Sequence, residues 1–141
     1  MSDLIRDIEA MHAHHDVHPC IKQFSLDQLR AFLEFRIAFV REEYNELVAA
    51  KTAEDAVDAL IDITVIAIGT LDLMQVDITR AWQKVHAANM AKQVGVTSHR
   101  SNLIGLPDLV KPEGWIAPDH AGNVGLFAKL FHSGEPNADA V

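Results

Sequence analysis

The chain has 141 residues, of which 49% are hydrophobic and 23% are charged, and its formal net charge is −8. This length and composition are typical of one soluble globular domain. Acidic residues outnumber basic ones and no basic run occurs, so direct binding to nucleic acid or to an anionic membrane is disfavoured. If the protein binds a polyanion, a metal ion must bridge the acidic side chains and the anionic ligand. The single cysteine, Cys20, excludes an internal disulfide and a cysteine-only zinc site.

Two features of the sequence bear on where the protein is located. Residues 1–10 lack the basic segment and the apolar core of a signal peptide. The longest apolar stretch, from Ile63 to Leu71, is too short to span a bilayer. We therefore expect a cytoplasmic location and no membrane partner.

The chain begins with a short predicted helix over residues 3–13, followed by a long one. Ser25 and Gln28 have the spacing of a capping box, and apolar residues then recur every three or four positions. This pattern predicts a helix over residues 26–50. Phenylalanines lie outside the main apolar stripe of this helix, so we expect more than one of its faces to be covered.

Two more helices are predicted before the composition changes. Thr52, with Asp55 three residues later, begins a helix that extends to about residue 75 and is apolar nearly all round. Asp77 caps a third long helix that ends near residue 93. The connections are short, so consecutive helices are expected to lie antiparallel, and the broad apolar faces predict a homo-oligomer.

The rest of the chain has a different composition. One Gly and one Pro occur up to residue 93, whereas six Gly and four Pro follow, which favours turns and ordered loops. A short amphipathic helix is expected over residues 123–131. We therefore predict an all-α antiparallel bundle in a single domain over 1–141, with a helical body over 1–93 and an irregular wrapping segment over 94–141.

Acidic residues are arranged in stripes on the two central helices. Glu43 and Glu46 are three residues apart, and Asp55, Asp58 and Asp62 are three and four residues apart, so each set lies along one helix face. Across an antiparallel pair the two stripes can meet. For the glutamates, a solvated helix face is the simpler interpretation.

Asp62 is harder to explain as a surface residue. It lies within an apolar run of a helix expected to be largely buried, and no basic residue occurs between Lys51 and Arg80. An unpaired buried carboxylate costs several kcal/mol or takes up a proton. Carboxylate oxygens that converge from two helices suit Mg²⁺ or Mn²⁺. A hydrogen bond to a neighbouring helix or a distant Arg is the alternative.

Four segments occur in an order typical of one enzyme family. They are Glu42-Glu43-x-x-Glu46, the Ala-Leu-Ile-Asp run ending at Asp62, Trp82 with Val85 to Lys92, and Lys111-Pro112-Glu113-Gly114-Trp115. Over roughly residues 30–119 the chain resembles the MazG-like, all-α nucleoside triphosphate pyrophosphohydrolases, and its last segment is similar to phage-type members. The resemblance implies a dimer or dimer of dimers that binds Mg²⁺ through ExxE and ExxD motifs. It also implies cleavage of a (d)NTP to (d)NMP and pyrophosphate.

The resemblance assigns roles to four acidic residues. Glu43 and Glu46 match the ExxE carboxylates, and Asp62 matches the aspartate of ExxD. Glu42 matches a glutamate that often precedes ExxE. Metal ions would neutralise the triphosphate and acidify a water, which Glu42 or Glu43 would orient or deprotonate.

The chain departs from the family pattern at one metal position. Where ExxD has Glu, this chain has Ala59, with Asp58 beside it. Residues four apart on a helix face nearly the same way as residues three apart, so Asp58 can replace the missing ligand.

Other polar and aromatic residues are candidates for substrate binding. Asn89 and Lys92 match a polar pair that the resemblance places near the phosphates, and Lys111 is a second cationic anchor for pyrophosphate. Trp115 could close over a ligand, whereas Trp82 is expected to be a packing residue. The phage-like segment suggests the MazZ-type branch, for which the resemblance implies (d)GTP as substrate, and host cytoplasm as the location if the protein is phage-encoded.

A histidine-rich segment near the start offers a different site. It contains His12, His14, His15, Asp16 and His18, with Cys20 following. His12 and His15 are three residues apart, and His14 and His18 are four apart, which is the spacing of zinc ligands on a helix. The alternative is a polar, partly exposed entrance to the bundle that could reach the nucleobase.

Two classes of function remain open from the sequence. The first is the metal-dependent pyrophosphohydrolase, with a nucleoside triphosphate as partner and no nucleic acid polymer. The second is a non-enzymatic helical oligomer, or a metal-binding adaptor, that uses the acidic and His-rich segments for assembly.

Overall fold

The computed structural model describes residues 3–96 and 104–131. Within these residues helices predominate, which confirms the predicted all-α class. The helices are α1 (Leu4–His14), α2 (Val17–Lys22), α3 (Leu26–Ala49), α4 (Ala53–Leu73) and α5 (Ile78–Met90). Two short strands, β1 (Gln93–Gly95) and β2 (Asp108–Val110), form an antiparallel pair, and a 3-10 helix covers Gly125–Lys129.

Local capping signals set the starts of the two longest helices. The Ser25 hydroxyl accepts the Gln28 amide at 3.2 Å, and the Gln28 side chain accepts the Ser25 amide at 2.8 Å. At the start of α4, Thr52 and Asp55 make the same reciprocal pair at 3.1 and 3.2 Å. Both predicted capping boxes are therefore confirmed, because each depends only on residues three apart.

Helices α3 and α4 pack antiparallel. Arg36, in the middle of α3, donates to the Ile66 carbonyl and to the Thr70 hydroxyl, each at 2.9 Å. Further along α3, Glu43 interacts electrostatically with Asp62, which precedes Ile66 in α4. Rising residue numbers in α3 thus correspond to falling numbers in α4, as the short connection predicts.

Two features were absent from the sequence prediction. Helix α2 begins after Asp16, which adopts a left-handed conformation with φ of 52°, in a segment without apolar periodicity. The β1–β2 pair lies where only loops were expected. A Cβ on Gly95 would lie 2.6 Å from a methyl of Val110, so the strands approach more closely than a side chain at this position would allow.

The chain divides into two compact units, one formed by residues up to 78 together with those from 124 onward, the other by residues 79–123. The core of the first unit contains four buried residues with six partly buried ones packed against them. They are Ile21, Leu29, Leu73 and Met74, with Val17, Phe24, Phe32, Leu126, Phe127 and Leu130. Helices α2 to α4 and the 3-10 helix therefore share this core.

Residues 125–126 join the end of the described chain to this core. The Leu126 amide donates to the Met74 carbonyl at 2.7 Å. Gly125 has φ of +50°, and a Cβ there would overlap the Met74 carbonyl oxygen. Only glycine fits this approach, and the predicted amphipathic helix is shortened to a 3-10 turn.

Helix α4 is less buried than its apolar sequence predicts. Only Ala59, Ile66, Gly69 and Leu73 are fully buried in it. Val57, Leu60 and Ile61 each expose more than half of their surface. No helix within the described ranges is long and apolar enough to cross a membrane.

Candidate functional site

Acidic residues of both α3 and α4 act electrostatically on Glu43. Glu43 and Glu46 lie near the end of α3, and Asp58 and Asp62 lie in the first half of α4. Desolvation raises the pKa of Glu43, and the negative charges of its neighbours raise it further. In decreasing order of effect, these neighbours are Glu46, Asp62, Glu42 and Asp58.

Glu43 itself carries an unpartnered atom. The Glu43 residue as a whole is half-buried. Its carboxylate oxygen Oε2 is shielded from solvent and has no hydrogen-bond partner among the described residues. A buried carboxylate oxygen without a donor costs free energy unless a proton or a cation neutralises it. The surrounding carboxylates add to this cost because their charges have the same sign.

Basic residues do not compensate this charge within residues 3–96 and 104–131. The ion pairs of Arg6 and Arg30 are with acids three residues earlier in the chain. The Arg36 guanidinium is bound to neutral oxygens of α4, and desolvation lowers its pKa. Pairing of Asp62 with a distant arginine, the alternative raised by the sequence, is therefore not found in the described part of the chain.

Ala59, which stands where the family motif has a glutamate, differs in burial from its neighbour Asp58. Ala59 exposes 2% of its surface and belongs to the buried side of α4. Asp58 is exposed and lines an open groove of about 590 Å³ at the start of α4. Its effect on Glu43 is the smallest of the four acids, whereas Asp62 is half-buried and has the second largest.

The acidic side chains of this cluster are of the ligand type that suits a hard divalent cation. The four side chains whose charges raise the pKa of Glu43 are all carboxylates, which Mg²⁺ and Mn²⁺ prefer to imidazole or thiolate, although within the described residues they do not form a group of three ligand atoms within 4.8 Å of one another. The shielded Oε2 of Glu43 is the atom that such an ion would satisfy.

The predicted substrate-binding residues lie in the second unit, and three of them are in contact. The indole N–H of Trp115 donates to the Ala88 carbonyl at 2.8 Å. The Nζ atoms of Lys92 and Lys111 lie 5.9 and 4.7 Å from the centroid of the Trp115 ring. Asn89 is exposed near the end of α5. This unit thus presents two cations held near one aromatic ring.

Trp82 differs from its predicted packing role. It exposes 65% of its surface and stacks on His86, with ring planes 9° apart. The position of Trp82 on an amphipathic helix does not determine whether another element covers its side of the helix.

The histidine segment forms a cluster, but not with the predicted pairs. The Nδ1 of His12 lies 2.6 Å from Oδ2 of Asp72, and the Nε2 of His18 lies 2.8 Å from the same oxygen. His14 and His15 are exposed and contact each other. The expected i,i+3 and i,i+4 pairs are wrong because α1 ends at His14 and α2 begins at Val17.

Asp72 was not among the sequence candidates. It lies sixty residues from His12 in the chain, so no local spacing connects the two. The sequence feature that could have pointed to Asp72 is a single acid within an otherwise apolar run of a helix, which is also the feature that pointed to Asp62.

The fold and the acidic residues together define a class, that of all-α proteins with carboxylates on both helices of an antiparallel pair. The sequence model of the phosphoribosyl-ATP pyrophosphohydrolase family matches residues 13–89, which is more than half of the chain. The chain therefore belongs to this MazG-like, all-α family, and its membership indicates a pyrophosphohydrolase enzyme that acts on nucleotides. No curated protein matches the chain.

The matched range includes every acidic candidate and ends at Asn89. Lys92, Lys111 and Trp115 lie beyond it.

Proposed function

We propose that the protein is a Mg²⁺-dependent nucleotide pyrophosphohydrolase that cleaves a (d)NTP between the α and β phosphates, giving (d)NMP and pyrophosphate. Mn²⁺ is expected to replace Mg²⁺. The observation that carries the proposal is the shielded, unpartnered Oε2 of Glu43 amid four other carboxylates, in a chain that belongs to a pyrophosphohydrolase family.

The acidic cluster would hold the cation. We assign Glu43, Glu46 and Asp62 as ligands, with Asp58 as the exposed replacement for the family's missing glutamate. A divalent cation supplies neutralisation of the triphosphate charge and activation of water. Glu42 or Glu43 would orient the attacking water and accept its proton. A carboxylate with a raised pKa, as in Glu43, is the better proton acceptor of the two.

Cationic residues of the second unit would bind the phosphates. Lys92 and Lys111 are assigned to the departing pyrophosphate, and Asn89 to hydrogen bonding with phosphate oxygens. Contact with Trp115 keeps both ammonium groups near one place before substrate binds. Trp115 would limit how freely they move.

The proposal also names the nucleobase of the substrate. The phage-like segment around Lys111 favours the MazZ-type branch, so (d)GTP is the first substrate to test. Phosphoribosyl-ATP, which the matched family's name specifies, belongs in the same panel because it also carries a triphosphate.

A product assay tests the reaction. Protein is incubated with NTPs, dNTPs and phosphoribosyl-ATP in Mg²⁺ or Mn²⁺, and the products are separated by chromatography. We expect monophosphate and pyrophosphate, loss of activity in EDTA, and recovery with Mg²⁺ or Mn²⁺. Glu46→Gln should lose activity, whereas Glu34→Gln, an exposed glutamate elsewhere on α3, should keep it.

The product assay also separates the two classes of function. Orthophosphate and a diphosphate as first products would contradict α–β cleavage. If no nucleotide yields pyrophosphate under any metal condition, the non-enzymatic oligomer or metal-binding adaptor becomes the better explanation.

We also propose that the chain forms a homodimer or a dimer of dimers. Large apolar side chains are exposed on both α3 and α4, including Tyr44 at 57%, Val48 at 69% and Val57 at 62%. Exposed apolar surface of this extent is typical of association surfaces. Sedimentation at micromolar concentration should show a dimer or tetramer, and a monomer would refute this part of the proposal.

A further inference from the structure

A second group of potential metal ligands lies at the other end of α4. It consists of His12 from α1, His18 from α2 and Asp72 from the last turn of α4. One ligand atom from each residue lies within 4.8 Å of the other two. Asp72 is ten residues beyond Asp62, a rise of about 15 Å along a helix, so this group is separate from the acidic cluster.

Two of the three side chains are largely shielded from solvent, and the third is partly exposed. The side chains of His12 and Asp72 expose 8% and 12% of their surface, and that of His18 exposes 30%. Both imidazoles direct a nitrogen at the same oxygen, Oδ2 of Asp72, at 2.6 and 2.8 Å. Three polar side chains from three helices thus converge on one point.

The absence of a side chain at Gly69 leaves room for the His12 ring against α4. A Cβ at position 69 would lie 3.0 Å from Cε1 and 3.3 Å from Nε2 of His12. Glycine inside a helix costs about 1 kcal/mol relative to alanine, so its presence here needs a packing reason. Arg36 also approaches Gly69, but its guanidinium is bound to the Ile66 carbonyl and the Thr70 hydroxyl.

We propose that His12, His18 and Asp72 bind a divalent transition-metal ion, with Zn²⁺ as the reference ion, that joins α1 and α2 to α4. Two imidazole nitrogens and one carboxylate are a zinc ligand set, and they suit Mg²⁺ poorly. Zn–N and Zn–O bonds of about 2.0–2.1 Å around a tetrahedral ion place ligand atoms about 3.3 Å apart. The His12–Asp72 and His18–Asp72 distances of 2.6 and 2.8 Å are shorter than this by about 0.5–0.7 Å. Binding an ion therefore requires a small movement of Asp72 or of both imidazoles away from their shared contact.

Zinc titration tests the site without reference to catalysis. Full-length protein is stripped with EDTA, exchanged into excess Mg²⁺, and titrated with ZnCl₂ by calorimetry, with metal analysis after desalting. We expect one tightly bound Zn²⁺ per chain. We also expect the melting temperature to rise by about 5–10 °C at a hundredfold excess over Kd. Co²⁺ in place of Zn²⁺ should show the visible absorption of a tetrahedral site.

Matched variants assign the ion to these residues. His18→Gln and Asp72→Asn should each weaken zinc binding by more than about a hundredfold, since each removes a direct ligand. His14→Gln, an exposed histidine on the same segment, and Glu46→Gln in the acidic cluster should bind zinc as the wild type does. His18 is used before His12 because its partial exposure makes misfolding less of a concern, and circular dichroism checks each variant.

Two results would overturn the proposal. The first is a wild-type chain that retains no zinc after desalting. The second is equal zinc affinity in His18→Gln, Asp72→Asn and the wild type. In that case the three residues form only a hydrogen-bonded polar cluster.

Discussion

The indole N–H of Trp115 donates a 2.8 Å hydrogen bond to the backbone carbonyl of Ala88, near the end of α5. This bond anchors the segment around Lys111 to a helix twenty-seven positions earlier in the chain. It also fixes the ring over which two ammonium groups lie.

Replacing Trp115 by Phe should therefore lower stability moderately. Trp115→Phe keeps an aromatic face for the lysines but leaves the Ala88 carbonyl without its donor. We expect the free energy of unfolding to fall by about 1 kcal/mol. Denaturant unfolding measures the change, with Trp82→Phe at a 65% exposed position as the control, where the change should stay within about 0.5 kcal/mol.

The raised pKa of Glu43 predicts a pH-dependent stability in EDTA. A carboxyl with a higher pKa in the folded than in the unfolded state binds its proton more tightly when folded. Its contribution therefore favours folding at low pH and becomes unfavourable as pH rises from 4.5, the ordinary value, through the raised pKa. Glu43→Gln removes this dependence.

The difference in melting temperature between the wild type and Glu43→Gln should consequently depend on pH. In EDTA the variant is expected to be the more stable protein at pH 7, and the difference should shrink toward pH 4. Saturating Mg²⁺ should reduce the difference at pH 7, because a cation offsets the same repulsion. A constant difference across the range would show that Glu43 is not perturbed.

Asp62→Asn tests whether this acid acts in metal binding or in folding. The change removes one charge beside Glu43, so we expect weaker Mn²⁺ binding and loss of turnover with an unchanged helical circular dichroism spectrum. The metal-free variant should melt no lower than the wild type. If it unfolds instead while activity per folded molecule is kept, Asp62 is a structural acid.

Gly125→Ala should be strongly destabilising. An L-residue at a left-handed φ costs about 1–2 kcal/mol, and the new methyl would also displace the Met74 carbonyl. We expect a loss of about 3 kcal/mol in the free energy of unfolding once the overlap is included. Gly122→Ala is the matched control, because its φ of +69° is similar and nothing lies within 4 Å of the added atom.

The control separates the two contributions. Gly122→Ala should cost about 1 kcal/mol, from the backbone alone. Equal losses at both positions would mean that the contact between residues 125 and 74 does not contribute to stability.

Local sequence determined the parts of this protein that depend on neighbouring residues. The capping pairs Ser25–Gln28 and Thr52–Asp55 each act across three residues, so the starts of α3 and α4 were predictable. Helical periodicity likewise places Glu43 and Glu46 on one face of α3.

Only the tertiary structure decided which atoms lose contact with water and which distant residues meet. Glu43 Oε2 is shielded, and acids of the antiparallel helix α4 as well as of α3 act on Glu43, a combination that no spacing within either helix encodes. The pairing of His12 with Asp72 needs α1 to lie against the far end of α4, with Gly69 leaving room for the imidazole. The physical reason is that burial and contact across sixty residues depend on how helices pack, whereas caps and helix faces depend only on residues a turn apart.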